Sequence, residues 1–233
     1  MDDRDHAHGE RDEDLLPATR VVLRPIATPF PLAFLALGCA TLLVAGLELG
    51  WFAPADSDVV ALALIAFAFP LQLLASVFGF LGRDTVAATG FGIQSATWLL
   101  IGLVHLLHPA GTTSPALGVL LIASAAAILI CTAGSALGKL APALVLGLTA
   151  VRFLLTGLHE LTGGAGIGHV AAVVGLVLVP IAAYVALALE LENVQRRTVL
   201  PLARRGDGAA AMQGSFARQT RRLQHEAGVR EQL

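Results

Sequence analysis

Five polar side chains lie inside long apolar runs of this sequence, and they are its best candidates for chemistry. Amide and guanidinium groups donate several hydrogen bonds, and arginine can bind a carboxylate in a two-pronged contact. Such groups are costly against lipid, so they face other helices or a water-filled path. The threonines are interpreted as hydrogen-bonding between helices, whereas Gln72, Gln94 and Arg152 are predicted to line a path. The five residues are Thr41, Gln72, Gln94, Thr149 and Arg152.

Arg152, in the stretch LTAVRFLLTG, is the only lysine or arginine inside an apolar run. A central arginine costs roughly 2.5–3.5 kcal/mol on membrane-insertion scales, so it requires a compensating contact or a function. In one interpretation it pairs with Glu48, which is predicted about 7 Å away in depth. In the other it offers a fixed positive charge to a passing carboxylate. A loose pairing with Glu48 would permit both.

Histidine and serine could support other chemistries. Four histidines are predicted at one membrane face, where they could sense pH or bind a metal, but their spacing matches no zinc signature. Ser135 is the best candidate nucleophile, yet it is predicted roughly 25 Å in depth from His159 and His169. We therefore predict no catalytic residue, no metal site and no cofactor, and the protein is classed as a non-enzyme. The four histidines are His105, His108, His159 and His169.

The elements that must position these side chains are six apolar runs. The chain has 233 residues, of which 56% are hydrophobic and 14% charged, whereas a soluble domain has about 25% charged residues. A membrane helix needs about 20 residues. None of the runs alternates with a period of two, which argues against a membrane β-barrel. The predicted fold is an all-α membrane protein with six transmembrane helices, at residues 31–52, 59–81, 86–107, 116–137, 140–161 and 167–191.

The lysines and arginines predict the orientation. They precede the first run, lie between the second and third and between the fourth and fifth, and follow the sixth, while the other three loops contain none. The positive-inside rule then places both termini in the cytoplasm. We predict a disordered acidic cytoplasmic tail at 1–27, a transmembrane domain at 28–194 and a basic, solvated cytoplasmic tail at 195–233. The protein is expected to be a multi-pass protein of the plasma or inner membrane.

Four stretches resemble the YaaH-like acetate uptake transporter family, which includes the succinate–acetate permease. Thr28, Pro29, Phe30, Pro31 and Leu32 resemble the N-P-A-P-L that opens the family's first span. LGWF at 49–52 resembles V-G-Y-F, and the stretch from LQLL to SATW at 71–98 resembles a family segment without a gap. Tyr184 and RRTVLP at 196–201 resemble the family's Tyr and G-R-T-V-L-P. The matches span residues 28–201 in order, so the chain resembles a divergent member.

The resemblance implies a six-helix protein that assembles as a homo-oligomer, a hexamer in the family. Members pass small monocarboxylates such as acetate, and sometimes succinate, either with protons or as a channel. Each protomer has its own path, narrowed by Phe, Tyr and Leu side chains, which fall by position on Leu37, Gln94 and Leu148 here. The proline pair would shape the inner mouth, with Pro31 starting the first helix and Pro29 fixing an extended segment before it.

Several positions depart from the family pattern. Thr28 replaces asparagine, Phe30 replaces alanine, and Gly79 replaces a glutamate, while Leu37 and Gln94 replace two aromatic residues. A non-acetate anion, or loss of transport, stays open for this reason. The predicted function is transport or channel conduction of small carboxylate anions, with membrane lipids and no nucleic acid as partners. A non-transporting membrane scaffold or sensor is the alternative.

Overall fold

Six long apolar helices follow one another along the chain. The computed structural model describes residues 26–108, 111–195, 197–206 and 209. Each of the six helices has 19 to 31 residues, and about 20 residues at 1.5 Å each cross a bilayer core. The predicted all-α architecture of six spans is confirmed. The helices are α1 (Phe30–Glu48), α2 (Ser57–Leu81), α3 (Thr85–Leu107), α4 (Pro115–Ala136), α5 (Leu140–Thr162) and α6 (Ala165–Gln195).

The six helices form a closed ring. Each packs against the next along the chain, and α6 packs against α1 to complete the ring. Glycines bring two neighbours into backbone contact: a Cβ on Gly118 of α4 would lie 2.8 Å from the carbonyl oxygen of Gly157 on α5, and the reverse distance is also 2.8 Å. Small residues permit such close approach between membrane helices. The ring gives the helices a shared interior, and the buried polar residues of the sequence lie there.

The start of α1 differs from the sequence prediction. The helix begins at Phe30, and Pro31 lies in its first turn, where a missing N–H costs no helical hydrogen bond. Pro29 is the N-cap residue, with φ −84° and ψ −4°. The expected extended conformation at Pro29 is therefore wrong, because this residue already has near-helical angles.

α2 is not a regular helix throughout. A π turn at Leu64–Ala68 divides it, two residues before Pro70, which has no N–H to donate. The carbonyl oxygen of Phe69 accepts a hydrogen bond from Ser95 Oγ of α3 at 3.0 Å. π turns inside α-helices are frequent near functional sites. Gln72 follows this irregular segment, and its side chain is fully buried.

Two faces of the ring are named here for the predicted orientation. The inner face carries the start of α1, the loop at Arg83 and the loop at Lys139, and the outer face is the opposite one. The orientation itself stays a prediction. Residues 1–25 of the predicted acidic tail lie outside the described residues.

Part of the predicted basic tail packs on the inner face. The N–H groups of Leu140 and Ala141 donate to the carbonyl oxygens of Ala203 and Leu202, both at 3.2 Å. Leu202 is buried. Residues 197–206 thus pair through their backbone with the first turn of α5, although most of them are exposed.

Side chains hold the same segment in place. Tyr184 Oη of α6 donates to the carbonyl oxygen of Pro201 at 2.9 Å, and Arg204 forms an ion pair with Glu192. Tyr184 and RRTVLP together form one of the four stretches that carry the family resemblance. The hydrogen bond between Tyr184 and Pro201 explains why these two parts of the motif occur at a fixed separation in the sequence.

Candidate functional site

A cavity of about 380 Å³ opens on the outer face, within the size range of small-molecule sites. Its walls come from α1, α3, α4 and α5, from Ser57 at the start of α2 and from the outer loops. Its floor includes Arg152, Trp98 and Phe153, and the last two rings pack edge to face with their centroids 5.5 Å apart. The cavity therefore reaches from the outer face to the predicted position of the membrane arginine.

Arg152 is held at this floor by two polar contacts, and a third contact holds its partner Glu48. Its Nη2 lies 3.1 Å from Glu48 Oε2, and its Nη1 donates to the carbonyl oxygen of Ala171 at 3.0 Å. Thr156 Oγ1 donates to the other oxygen of Glu48 at 3.3 Å. The side chains of Arg152 and Glu48 are 2% and 11% exposed. The pairing expected from their depths is present, and it compensates the buried charge.

Gly175 of α6 makes room for the guanidinium group. A Cβ at this position would lie 1.7 Å from Arg152 Nη1 and 3.2 Å from the Thr41 methyl group. Only a residue without a side chain fits against the arginine in this arrangement. Sequence reasoning did not identify Gly175, because a glycine in an apolar run gives no sign of its neighbour on another helix.

A second, smaller cavity of about 160 Å³ opens on the inner face, and it is lined by the same four helices together with α6. Phe30 and Phe34 of α1, Pro142 of α5 and Leu189 of α6 contribute to it. Phe30 belongs to the proline motif that was predicted to shape the inner mouth. Phe30, which stands where the family has an alanine, therefore forms part of the wall of this cavity.

Three phenylalanines form an aromatic cluster beside the inner cavity. Phe91 of α3 packs edge to face against Phe34 at 5.1 Å and stacks on Phe30 at 5.8 Å, between ring centroids. Cε1 of Phe30 lies 3.2 Å from where a Cβ on Gly79 would be. Gly79 therefore provides space for the ring of Phe30. These two positions carry a glutamate and an alanine in the family pattern.

Lys139 also lines the inner cavity. Burial lowers the pKa of its ammonium group below the usual range, Arg204 adds to this effect, and Asp84 and Glu192 oppose it. A partly desolvated cation at this mouth attracts anions more strongly than a solvated one.

A closed segment separates the two cavities. On α1 it runs from Phe34 to Val44 and on α5 from Pro142 to Arg152. Ten residues at 1.5 Å each make this segment about 15 Å thick. The residues matched to the family constriction, Leu37, Gln94 and Leu148, all belong to this part of their helices.

The closed segment contains a buried pair of amides. Gln72 Nε2 donates to Gln94 Oε1 at 3.0 Å and to the carbonyl oxygen of Ala33 at 3.3 Å. Leu37, Gln72 and Gln94 are fully buried. Leu148 is only half-buried, whereas its neighbour Thr149 is fully buried. The structure thus brings Gln72 and Gln94 into contact and leaves Leu148 at the edge of the core.

Two N–H donors near the cavity floor have no hydrogen-bond partner among the described residues. They are Gln94 Nε2 and Trp98 Nε1, one helical turn apart on α3, in side chains with 0% and 1% exposure. A buried donor without a partner costs about 1–3 kcal/mol. Each of these N–H groups is able to donate a hydrogen bond to an acceptor oxygen. Sequence reasoning missed Trp98, although its spacing of four from Gln94 was a usable signal.

The remaining candidates do not form a second site. His105, His108 and His159 line the outer cavity, but in the part of the chain that the structure describes no group of histidine, cysteine and acidic residues could hold a metal ion. Ser135 lines the inner cavity instead. The serine and the histidines therefore belong to opposite mouths, as predicted, and cannot act as a nucleophile and its base.

Comparisons with known proteins agree with the motif resemblance. No family model matches the chain. The succinate-acetate/proton symporter SatP of Escherichia coli K12 is 27% identical over 181 residues, which cover 76% of this chain and 95% of that protein. The symporter of Shigella flexneri matches equally well. A solved structure of the bacterial acetate channel SatP superimposes with a TM-score of 0.68 and 26% identity, over 76% of this chain and 99% of that one.

Proposed function

We propose that this protein, a divergent member of the acetate uptake transporter family, carries small monocarboxylates such as acetate across the cell membrane. The relatives are named as an acetate channel and as a succinate-acetate/proton symporter, and neither is an enzyme. Six long apolar helices make the protein a multi-pass membrane protein. The function is transport, with or without a coupled proton.

The observation that carries the proposal is the alignment of two cavities on one set of helices. α1, α3, α4 and α5 line both the outer and the inner cavity, and the closed segment of about 15 Å between them contains polar groups. Opening this segment would join the two faces by one path.

The donors of α3 are proposed to receive the carboxylate. Trp98 Nε1 and Gln94 Nε2 can each donate to an anionic oxygen, and such bonds contribute about 1.5–3 kcal/mol each. Gln72 keeps the Gln94 amide oriented, because its own Nε2 occupies the Gln94 oxygen. The remaining site residues, Leu37, Leu148 and Arg152, are proposed to bound the path, with Arg152 at its outer end.

The inner mouth is proposed to be the narrow end of the path. The motif Thr28–Pro29–Phe30–Pro31–Leu32 contains the start of α1 there, and Phe30 and Phe34 both pack on Phe91. The family's constriction aromatics are replaced at Leu37 and Gln94. The three phenylalanines supply an aromatic constriction nearer the inner face instead.

Orientation and assembly belong to the same proposal. Both termini lie in the cytoplasm, and the protein assembles as a homo-oligomer, a hexamer by family resemblance, with lipid around it. Single cysteines at Ser57, Thr112 and Gly164, in a chain with Cys39 and Cys131 replaced by serine, test the orientation, because the proposal places each of them on the outer face. Labelling of any of them only from the cytoplasm would overturn it.

Uptake of labelled acetate into proteoliposomes tests the function. We expect uptake above that of protein-free vesicles, and a decrease of about tenfold to a hundredfold for Trp98→Phe, which removes one donor to a charged oxygen. Trp51→Phe is the matched control, since Trp51 is exposed and lines neither cavity. Wild-type protein without uptake would contradict the proposal and favour the scaffold or sensor alternative.

A further inference from the structure

Arg152 is neutralised from within the protein at the end of the path. Its Nη2 donates to the Glu48 carboxylate, and its Nη1 donates to the carbonyl oxygen of Ala171. Glu48 is itself held by Thr156. The arginine and the glutamate together contribute a formal charge of zero to the cavity floor.

Arg152 is the only lysine or arginine among the described residues that line the outer cavity. Two carboxylates, Glu48 and Glu160, and three histidines, His105, His108 and His159, share that lining. Glu160 accepts a hydrogen bond from the Ser114 N–H at 2.6 Å, and it lies eight residues beyond Arg152, or about 12 Å along α5. Glu48 is therefore the carboxylate that sets the charge next to the arginine.

We propose that Glu48 is a specificity-determining residue that makes the outer site select monocarboxylates over dicarboxylates by occupying Arg152. This inference rests on the proposed transport function and names the substrate class of the same site.

The argument is electrostatic. An anion that reaches Arg152 also comes within a few ångströms of the Glu48 carboxylate, and like charges at that distance repel strongly in a buried site. A monocarboxylate limits the repulsion by placing its single charge at the Trp98 and Gln94 donors, away from Glu48. A dicarboxylate has a second charge that must lie either beside Glu48 or in the closed segment below, where the described residues include no lysine or arginine other than Arg152 itself. Both positions are unfavourable.

The test is the ratio of succinate uptake to acetate uptake in proteoliposomes. In Glu48→Gln the second carboxylate can bind Arg152, and we expect the ratio to increase by at least about tenfold. Glu160→Gln is the matched control, because it makes the same chemical change in the same cavity, away from Arg152, and should leave the ratio within about twofold. An unchanged ratio in Glu48→Gln, or an equal rise in Glu160→Gln, would overturn the proposal.

The double variant Glu48→Leu/Arg152→Leu tests whether the gain needs the arginine. Removing both members of a buried pair is tolerated far better than removing one. We expect it to fold and to retain the wild-type ratio, whereas a ratio raised as in Glu48→Gln would overturn the proposal.

Folding of Glu48→Gln is itself informative, because this change leaves a buried arginine without its partner. If the variant folds only in buffer with succinate, the dicarboxylate replaces the missing carboxylate, as the proposal expects. If no anion restores folding, the pair is purely structural and the proposal is overturned. Failure of wild-type protein to take up acetate would refute the transport function, which separates the two ideas.

Discussion

Replacing Gly175 by alanine should displace Arg152 and destabilise the protein. The new Cβ would lie 1.7 Å from Nη1, and an ordinary contact begins near 3.4 Å, so the guanidinium group must shift. That shift breaks the 3.0 Å bond to the Ala171 carbonyl oxygen. Losing a hydrogen bond from a charged group costs about 1.5–3 kcal/mol, and alanine recovers up to about 1 kcal/mol of helix propensity. We expect a net loss of roughly 0.5–3 kcal/mol in the free energy of unfolding.

The matched control is Gly166→Ala on the same helix. A Cβ at Gly166 would meet nothing within 4 Å, so this change should be neutral or stabilising by up to about 1 kcal/mol. Thermal unfolding of both variants in detergent, alongside wild type, measures the difference. Gly175→Ala with wild-type stability or better would refute the reasoning that Gly175 exists to accommodate the arginine.

Three further variants have defined outcomes. Gln94→Tyr should narrow the path and reduce uptake of larger carboxylates relative to acetate with normal expression, and an unchanged substrate profile would count against Gln94 in the path. Phe30→Ala should widen the inner mouth, because the Phe30 ring packs on Phe91, and it should therefore raise the uptake of longer monocarboxylates such as butyrate. An unchanged ratio of acetate uptake to butyrate uptake would argue against a constriction there. Leu202→Ala should lower the free energy of unfolding by about 2–4 kcal/mol, because this leucine is buried. The control Val199→Ala changes an exposed side chain and should have little effect. Equal effects of the two changes would show that residues 197–206 do not dock as described.

The six spans were predictable because a bilayer fixes the length of an apolar helix. The pairing of Arg152 with Glu48 was predictable for a related reason: helical rise converts sequence position into depth, and a buried arginine needs a partner. The family motifs added the constriction positions, which depth alone could not supply.

Other features depended on contacts between distant parts of the chain, and no local pattern encodes those. Gly175 is significant only because Arg152 packs on it, and Trp98 only because its N–H is buried without a partner among the described residues. The contact of Leu202 with the bundle was not predicted, because arginine-rich segments are usually solvated. Most of residues 197–206 are exposed, but Leu202 is a buried apolar anchor. The near-helical angles of Pro29 reflect the helix start at Phe30, one residue earlier than the proline pattern suggested.

The central claim is that acetate passes Gln94 between the two cavities. The variant Gln94→Cys, in a chain with Cys39 and Cys131 replaced by serine, tests it with a small membrane-impermeant thiol reagent. The account predicts that the introduced thiol reacts as the path opens, and that acetate slows this reaction while neutral acetamide does not. A thiol that stays unreactive in a protein transporting acetate, or that reacts equally fast with and without acetate, would contradict it.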